Sequence, residues 1–456
     1  MTILRFLAAA TLLAVGVGVA PPAHALDRPV IDGSRLPAPA APAPPTATRQ
    51  RQTCAVPPDH RGPATAANAV AMLGLDAAWN ITRGQGQRVA VIDTGVARHP
   101  RLARLEGAGD YVGAGDGTQD CDGHGTIVAG IIAAAPDSAD GVGFAGIAPE
   151  ATVLSIRQSS TKFGPAHDAT AVGFGDVETL AMAVRTAADQ GATVINISSV
   201  ACRTGSLEDR ALGAALAYAV DVKDAVVVTA AGNIGGAAQC PPQPADGAAR
   251  WDSATVAVSP AWYDDYVLTV GSVDADGAAS AFTLAGPWVD VGAPGEHLIS
   301  LNPAGGGVTA TLPTPDGDRP LSGTSYAAPV VSGLAALIRS RFPELRARQV
   351  MHRIEASAQR PGHGWDPAIG NGVIDPLRAL DGEPITAAPS AEALGRPIEP
   401  ERRSGRDPDA RTAALLGAGG CAVVLLAAST LPGRRRGSHD VVGHQRGRPT
   451  QGRARR

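Results

Sequence analysis

Aromatic side chains are scarce in this chain, 4 % of its 456 residues. What replaces them is Ala, Gly and Val, a composition that suits one large α/β core. Strong charge imbalance is also missing. Lys and Arg number 39 against 43 Asp and Glu, for a net charge of −4, so the bulk electrostatics do not call for nucleic acid. Cysteine is sparse at five residues. No two of them form Cys-x-x-Cys, which argues against a zinc site and leaves no metal or cofactor to expect. No internal repeat is present. Length alone suggests about three domains, but the composition argues for fewer, with two unusual ends.

The first end reads as a secretory signal peptide over residues 1–25. Arg5 precedes an apolar run from Leu7 to Ala20, and Ala23-His24-Ala25 supplies a small-residue cleavage site. The alternative is an N-terminal anchor that is never cut. At the other end, residues 412–431 carry no charge and are long enough to span a bilayer as one helix. Arg434-Arg435-Arg436 and five further arginines follow within residues 432–456. The positive-inside rule puts this basic tail in the cytoplasm and the bulk of the chain outside it. Read without the span, the tail would suggest a nucleic-acid patch. Beside a span it reads as a topology determinant or a contact for anionic lipid. The expected location is the cell membrane, crossed once.

Four cysteines, Cys54, Cys121, Cys202 and Cys240, fall in the exported part, and Cys421 lies in the span. An oxidising location favours disulfides, and four cysteines allow three pairings. Residues 26–63 form an extension whose stretch Leu36–Thr48 is nearly all Pro and Ala, hence extended and polyproline-like. Regular structure is expected from about Ala64, with a helix over Ala64–Leu75 that ends by Asp76–Trp79. Short β-branched runs follow at Gln87–Asp93, Thr152–Ile156, Thr193–Ile197, Ala225–Ala230 and Val267–Val270. Helical patterns lie between them at Gly125–Ala134, Asp176–Gln190 and Leu207–Lys223. This alternation predicts a doubly wound, mostly parallel sheet with helices on both faces over residues 64–380. Residues 381–411 read as a linker.

In open parallel sheets, sites form beyond the carboxyl ends of strands. Asp93 ends the Gln87–Asp93 run, His124 precedes an apolar helix, and Ser325 opens another that runs to about Arg339. Taken singly, these residues read as a turn former, a structural histidine and a helix cap. Together they supply what acyl transfer needs. A serine hydroxyl is a weak nucleophile near neutral pH and requires a base to take its proton. His124 can take that proton and return it to the leaving amine, while Asp93 holds the imidazole in the right tautomer. Asn233, after the Val226–Ala230 run, has an amide to donate to the oxyanion. Alternatively it is only a turn residue.

Asp93-Thr94-Gly95, His124-Gly125-Thr126, Ala231-Gly232-Asn233 and Gly323-Thr324-Ser325 resemble the signature boxes of the subtilisin-like (subtilase) serine proteases, in the family's order Asp, His, Ser. The resemblance spans about Ala77 to Leu380. It implies Asp93, His124 and Ser325 as the catalytic set and Asn233 as oxyanion donor. It also implies a substrate strand, Val194–Ser199, where Ile197, Ser198 and Ser199 meet an extended peptide. With the signal peptide, the Pro-rich extension and the single span, the chain most resembles the mycosins, membrane-anchored subtilases of type VII secretion systems.

Three departures from the subtilase pattern qualify that resemblance. His99-Pro100-Arg101 puts a cation where many subtilases carry an acidic calcium ligand, so no calcium is expected there. Val200 stands at a common cleft glycine and is expected to narrow the cleft. The extension is also too short for the family's folded inhibitory propeptide. It is therefore expected to wrap the domain, with Cys54 bridged to Cys121 and Cys202 to Cys240, each bridge adding roughly 3–4 kcal/mol in the chain-entropy view. The implied function is a membrane-anchored endopeptidase acting on secreted proteins. The alternative is a structural subunit of the secretion membrane complex, with proteolysis secondary. A pseudoenzyme reading fails because no catalytic element is missing. A serine-carboxyl peptidase would need an acid where His124 stands.

Overall fold

A computed structural model describes residues 25–60, 72–137, 143–235, 240–244, 248–314 and 317–382. Outside them lie the expected signal peptide almost entirely, most of the helix expected at 64–75, nearly all of the linker expected at 381–411, the span expected at 412–431 with Cys421, and the basic residues 432–456. Among the described residues no helix is long and apolar enough to cross a membrane.

One sheet of seven strands organises the domain. Its strands are β1 (Arg88–Asp93), β2 (Leu105–Asp110), β3 (Thr152–Arg157), β4 (Val194–Ile197), β5 (Val226–Ala230), β6 (Leu268–Val273) and β7 (Val291–Pro294). Every pairing is parallel, in the spatial order 2-3-1-4-5-6-7. All residues of β4, β5 and β6 are buried, as a sheet covered on both faces requires. The helices are α1 (Leu75–Trp79), α2 (His124–Ala133), α3 (Val177–Asp189), α4 (Arg210–Ala217), α5 (Thr324–Arg341) and α6 (Ala347–Ser357). α2 packs on α5, and α3 on α4. The chain places β2 and β3 on one side of β1 and β4 to β7 on the other. The carboxyl end of β1 is thus a switch point, where ligand sites form in open sheets.

The structure changes three expectations. β2 and β7 join the sheet although neither stood out in sequence. Leu105–Asp110 (LEGAGD) has no apolar run and forms an edge strand with a bulge at Gly107/Gly109. The helix expected to Lys223 ends regular α form at Ala217 and continues as a π turn over Tyr218–Val222. Regular structure also starts well before Ala64. A 3-10 turn spans Gly33–Arg35, with the Asp32 side chain accepting from the Ser34 N–H. Thr48–Gln50 pairs antiparallel with Phe163–Pro165, a partner too distant in sequence for any local pattern to reveal.

The extension runs along the domain surface. Leu26 is buried and its N–H donates to the Ala254 carbonyl at 2.9 Å. Arg28 lies over the Trp251 ring and 3.5 Å from Asp264. The Pro37 carbonyl accepts from Arg185 at 3.1 Å. Ala38–Pro45 then borders a cavity of about 600 Å³ against Tyr111, Met182 and Thr186. Further on, Ala55 N–H donates to the Cys121 carbonyl at 2.8 Å, and His60 N–H to the Val308 carbonyl at 2.7 Å. Disulfides join Cys54 to Cys121 and Cys202 to Cys240.

Three neighbouring carboxyl groups, Asp264, Asp290 and Glu355, carry a pH dependence. Burial and the Asp264 charge push Glu355 up to about 7. Burial pushes Asp264 up to about 6, against the pull of Arg28. Burial, with Glu355 and Asp264 beside it, holds Asp290 well above the carboxylate range. Their unfolded values lie near 4, so the folded state binds more protons between about pH 4 and pH 7. Stability from this cluster therefore falls as pH rises through that window. Glu355→Gln is expected to raise Tm at pH 8 by about 2–4 °C, for a gain of about 1 kcal/mol, and to leave Tm unchanged at pH 4. Calorimetry at the two pH values checks this.

Candidate active site

Asp93 is the last residue of β1, and His124 the first of α2. The two elements meet because glycines let their backbones touch. A side-chain carbon at Gly125 would sit 2.0 Å from the Gly95 carbonyl oxygen. His124 Nδ1 lies 2.8 Å from Asp93 Oδ1. A carboxylate only accepts, so Nδ1 carries the proton and Nε2 of the neutral ring is left as an acceptor. Nε2 is 3.1 Å from Ser325 Oγ, the second residue of α5. Asp93 Oδ1 also accepts from the Thr94 N–H at 2.7 Å. Asp93 is buried and the His124 side chain 23 % exposed. Burial disfavours a proton on His124, but the charges of Asp93, Asp120 and Asp122 and the bond to Asp93 outweigh it, so its pKa is raised. The Tyr326 ring stacks at 5.1 Å from the imidazole.

Ser325 is held from outside its own helix. Pro329 lies four residues on, inside α5, and has no N–H for the Ser325 carbonyl. Ser198 Oγ supplies the missing donor at 2.8 Å. Ser198 accepts in turn from Asn196 Nδ2 at 2.9 Å, and Asn196 Oδ1 accepts from Ser332 at 2.8 Å. This buried chain binds β4 to the start of α5, and only the Pro four residues after Ser325 hinted at it in sequence.

Asn233 follows β5. Its Oδ1 accepts from Thr324 N at 3.0 Å, which turns Nδ2 towards the cleft. A side-chain carbon at Gly323 would sit 3.3 Å from Ser325 Oγ and 3.5 Å from Asn233 Nδ2. Its absence leaves both atoms beside one opening.

The expected cleft residues separate. Ile197 is fully buried inside the sheet, in register with Ile92 and Thr229, so its side chain backs the cleft and does not line it. The Ser198 hydroxyl turns inward to Ser325. Ser199 lines a pocket of about 140 Å³ with Gln158, Leu180 and Val200. The Arg101 side chain is buried, and its guanidinium donates to the carbonyls of Ala135, at 2.7 Å, and Phe144. It fills its niche with its own cation. Among the described residues, no three His, Cys, Asp or Glu gather as a metal site.

Comparison with known proteins agrees with this geometry. The subtilase family profile matches residues 84–372. Mycosin-4 of Mycobacterium tuberculosis (strain ATCC 25618 / H37Rv) is 57 % identical over 437 residues, 94 % of this chain and 95 % of that one. A solved MycP3 protease from the type VII (ESX-3) secretion system is 44 % identical with TM-score 0.71, covering 78 % of this chain and 100 % of that one. A chain in the structure of an intact ESX-5 inner membrane complex is 38 % identical with TM-score 0.74, covering 89 % of this chain and 100 % of that one. The chain belongs to the subtilase family of serine endopeptidases and, within it, to the mycosins.

Proposed function

We propose that Ser325, His124 and Asp93 hydrolyse peptide bonds of secreted proteins through an acyl-enzyme, in a chain anchored in the membrane by residues 412–431. The observation that carries this reading is the unbroken relay from Ser325 Oγ to His124 Nε2 at 3.1 Å and from Nδ1 to Asp93 at 2.8 Å. As Ser325 Oγ bonds to the scissile carbonyl carbon, its proton passes to His124 Nε2. The imidazolium is stabilised by the buried Asp93 charge. The carbonyl oxygen becomes an oxyanion, held by Asn233 Nδ2 and the Ser325 N–H. Collapse breaks the C–N bond, and His124 gives its proton to the leaving amine. Water, deprotonated by His124, then attacks the acyl carbon, and His124 returns that proton to Ser325 Oγ as the ester C–O bond breaks.

A fluorophosphonate probe on the full chain tests the nucleophile. Labelling that disappears in Ser325→Ala is expected, and labelling that survives the substitution overturns the assignment. Asn233→Ala is expected to lose about 10²–10³ in kcat with KM little changed. Steady-state kinetics on a peptide cleaved by the wild type checks that split.

The second reading is a structural subunit of a type VII secretion membrane complex. It is favoured by the likeness to a chain of the ESX-5 inner membrane complex. Deleting residues 412–456 separates the two. Lost complex assembly with intact peptidase activity supports the structural role, and normal assembly counts against it.

A further inference from the structure

α2 begins without a side-chain cap of its own. Gly123 holds the N-cap position in a left-handed conformation and offers no oxygen to the first free N–H groups, which need partners. A carboxylate three residues earlier takes their place. Asp120 Oδ1 accepts from Gly123 N at 2.7 Å, and Oδ2 from Thr126 N at 2.8 Å and Thr126 Oγ1 at 2.7 Å. The same Oδ1 accepts from Thr94 Oγ1 at 2.9 Å, and that hydroxyl accepts from Gly125 N at 3.0 Å. Thr126 Oγ1 accepts from Ala97 N at 2.8 Å. One carboxylate thus ties the residues on both sides of His124 to the turn that follows Asp93.

We propose that Asp120 is a positioning residue for the reaction: it caps the helix that begins with His124 and clamps that helix to the Asp93 turn, fixing the imidazole between Asp93 and Ser325. The proposal rests on the catalytic roles assigned above. Asp120 touches no reacting atom and acts through His124. Its charge acts on the imidazole as well. The ionisable groups around the ring are Asp93 at the end of β1, Asp120 and Asp122 in the loop before α2, and Tyr326 in α5. Asp122 is engaged by Ser160 and by Thr161 N at 2.7 Å. Burial raises the Tyr326 hydroxyl far above neutral pH. Burial also pushes Asp120 up to about 6, against the bonds from Thr126, Gly123 and Thr94. Asp120 is therefore a neighbour of the imidazole that changes charge near pH 6.

The test is the rate of Ser325 labelling by a fluorophosphonate, followed from pH 5 to 9 on the full disulfide-bonded chain. Asp120→Asn is expected to lower the maximal rate by about 10- to 100-fold. It should also move the acid-side midpoint to lower pH, because a negative charge that favours imidazolium is gone. A merely structural role would lower Tm and leave the rate and midpoint of the folded enzyme in place, and that result overturns the proposal. Should Asp120→Asn fail to fold, Thr126→Val against Thr126→Ser decides. Only the serine keeps the hydroxyl donor, so slower labelling by the valine variant supports the clamp, and equal rates overturn it. Wild-type labelling abolished by Ser325→Ala is the control. If the wild type does not label, the catalytic assignment has failed and not the clamp.

Discussion

His124→Ala is expected to slow peptide-bond hydrolysis by about six orders of magnitude in kcat. The size follows from the division of labour in the site. Ser325 Oγ has His124 Nε2 beside it at 3.1 Å to take its proton, and among the described residues no other base is bonded to that hydroxyl. Without the imidazole, the hydroxyl must attack with its proton in place, and the amine must leave unprotonated. Ser325→Ala is expected to cost about as much, and the double variant no more than either alone, because the two residues act as one unit. What remains above the uncatalysed rate is the oxyanion site and substrate binding. Single-turnover assays of the three variants check this. Multiplying costs in the double variant would overturn the idea of a shared step.

Asp93→Asn is expected to cost about 10⁴ in kcat while leaving the fold unchanged. The substitution keeps shape and replaces the carboxylate by a neutral amide with one acceptor oxygen. Asp93 Oδ1 now accepts from His124 Nδ1 at 2.8 Å and from Thr94 N at 2.7 Å. An amide nitrogen in the Oδ1 place would face both donors, whereas an amide carbonyl there keeps both bonds. In the first orientation the ring must carry its proton on Nε2, where it cannot receive one from Ser325. The charge that steadies the imidazolium is lost as well. Kinetics alongside a thermal melt separates this from unfolding. A fully active Asp93→Asn enzyme would mean that the ring is held by other contacts.

Legibility in the sequence followed the range of the forces involved. β1, β3, β4, β5 and β6 were readable because a strand buried on both faces is a short unbroken apolar run. β2 was not, because LEGAGD gains its place from pairing with β3 along one edge. β7 contains Gly292, Ala293 and Pro294, which locally signal a turn. The four polar residues of the relay and oxyanion opening stood out because each is set in a tight glycine-bearing turn with its own local pattern. Asp120 escaped, and Ser198 stood out only as a residue to meet substrate, because their work depends on what lies across the fold: one caps a helix whose cap position is glycine, the other answers a carbonyl that a proline left open. The extension was legible as extended chain but its path was not, since its anchors at Ala254, Arg185, the 163–165 strand and Val308 come from distant segments.

That path has a mechanical consequence. From Leu26 to His60 the chain is laid across the domain like a seam, stitched first by single hydrogen bonds and finished by a covalent knot at Cys54–Cys121, three residues before His124. Tension on the leading end is borne stitch by stitch and stops at the knot. A cut among residues 36–47 leaves two lengths of seam, and the one beside the imidazole keeps its strand pairing, its hydrogen bonds and the disulfide.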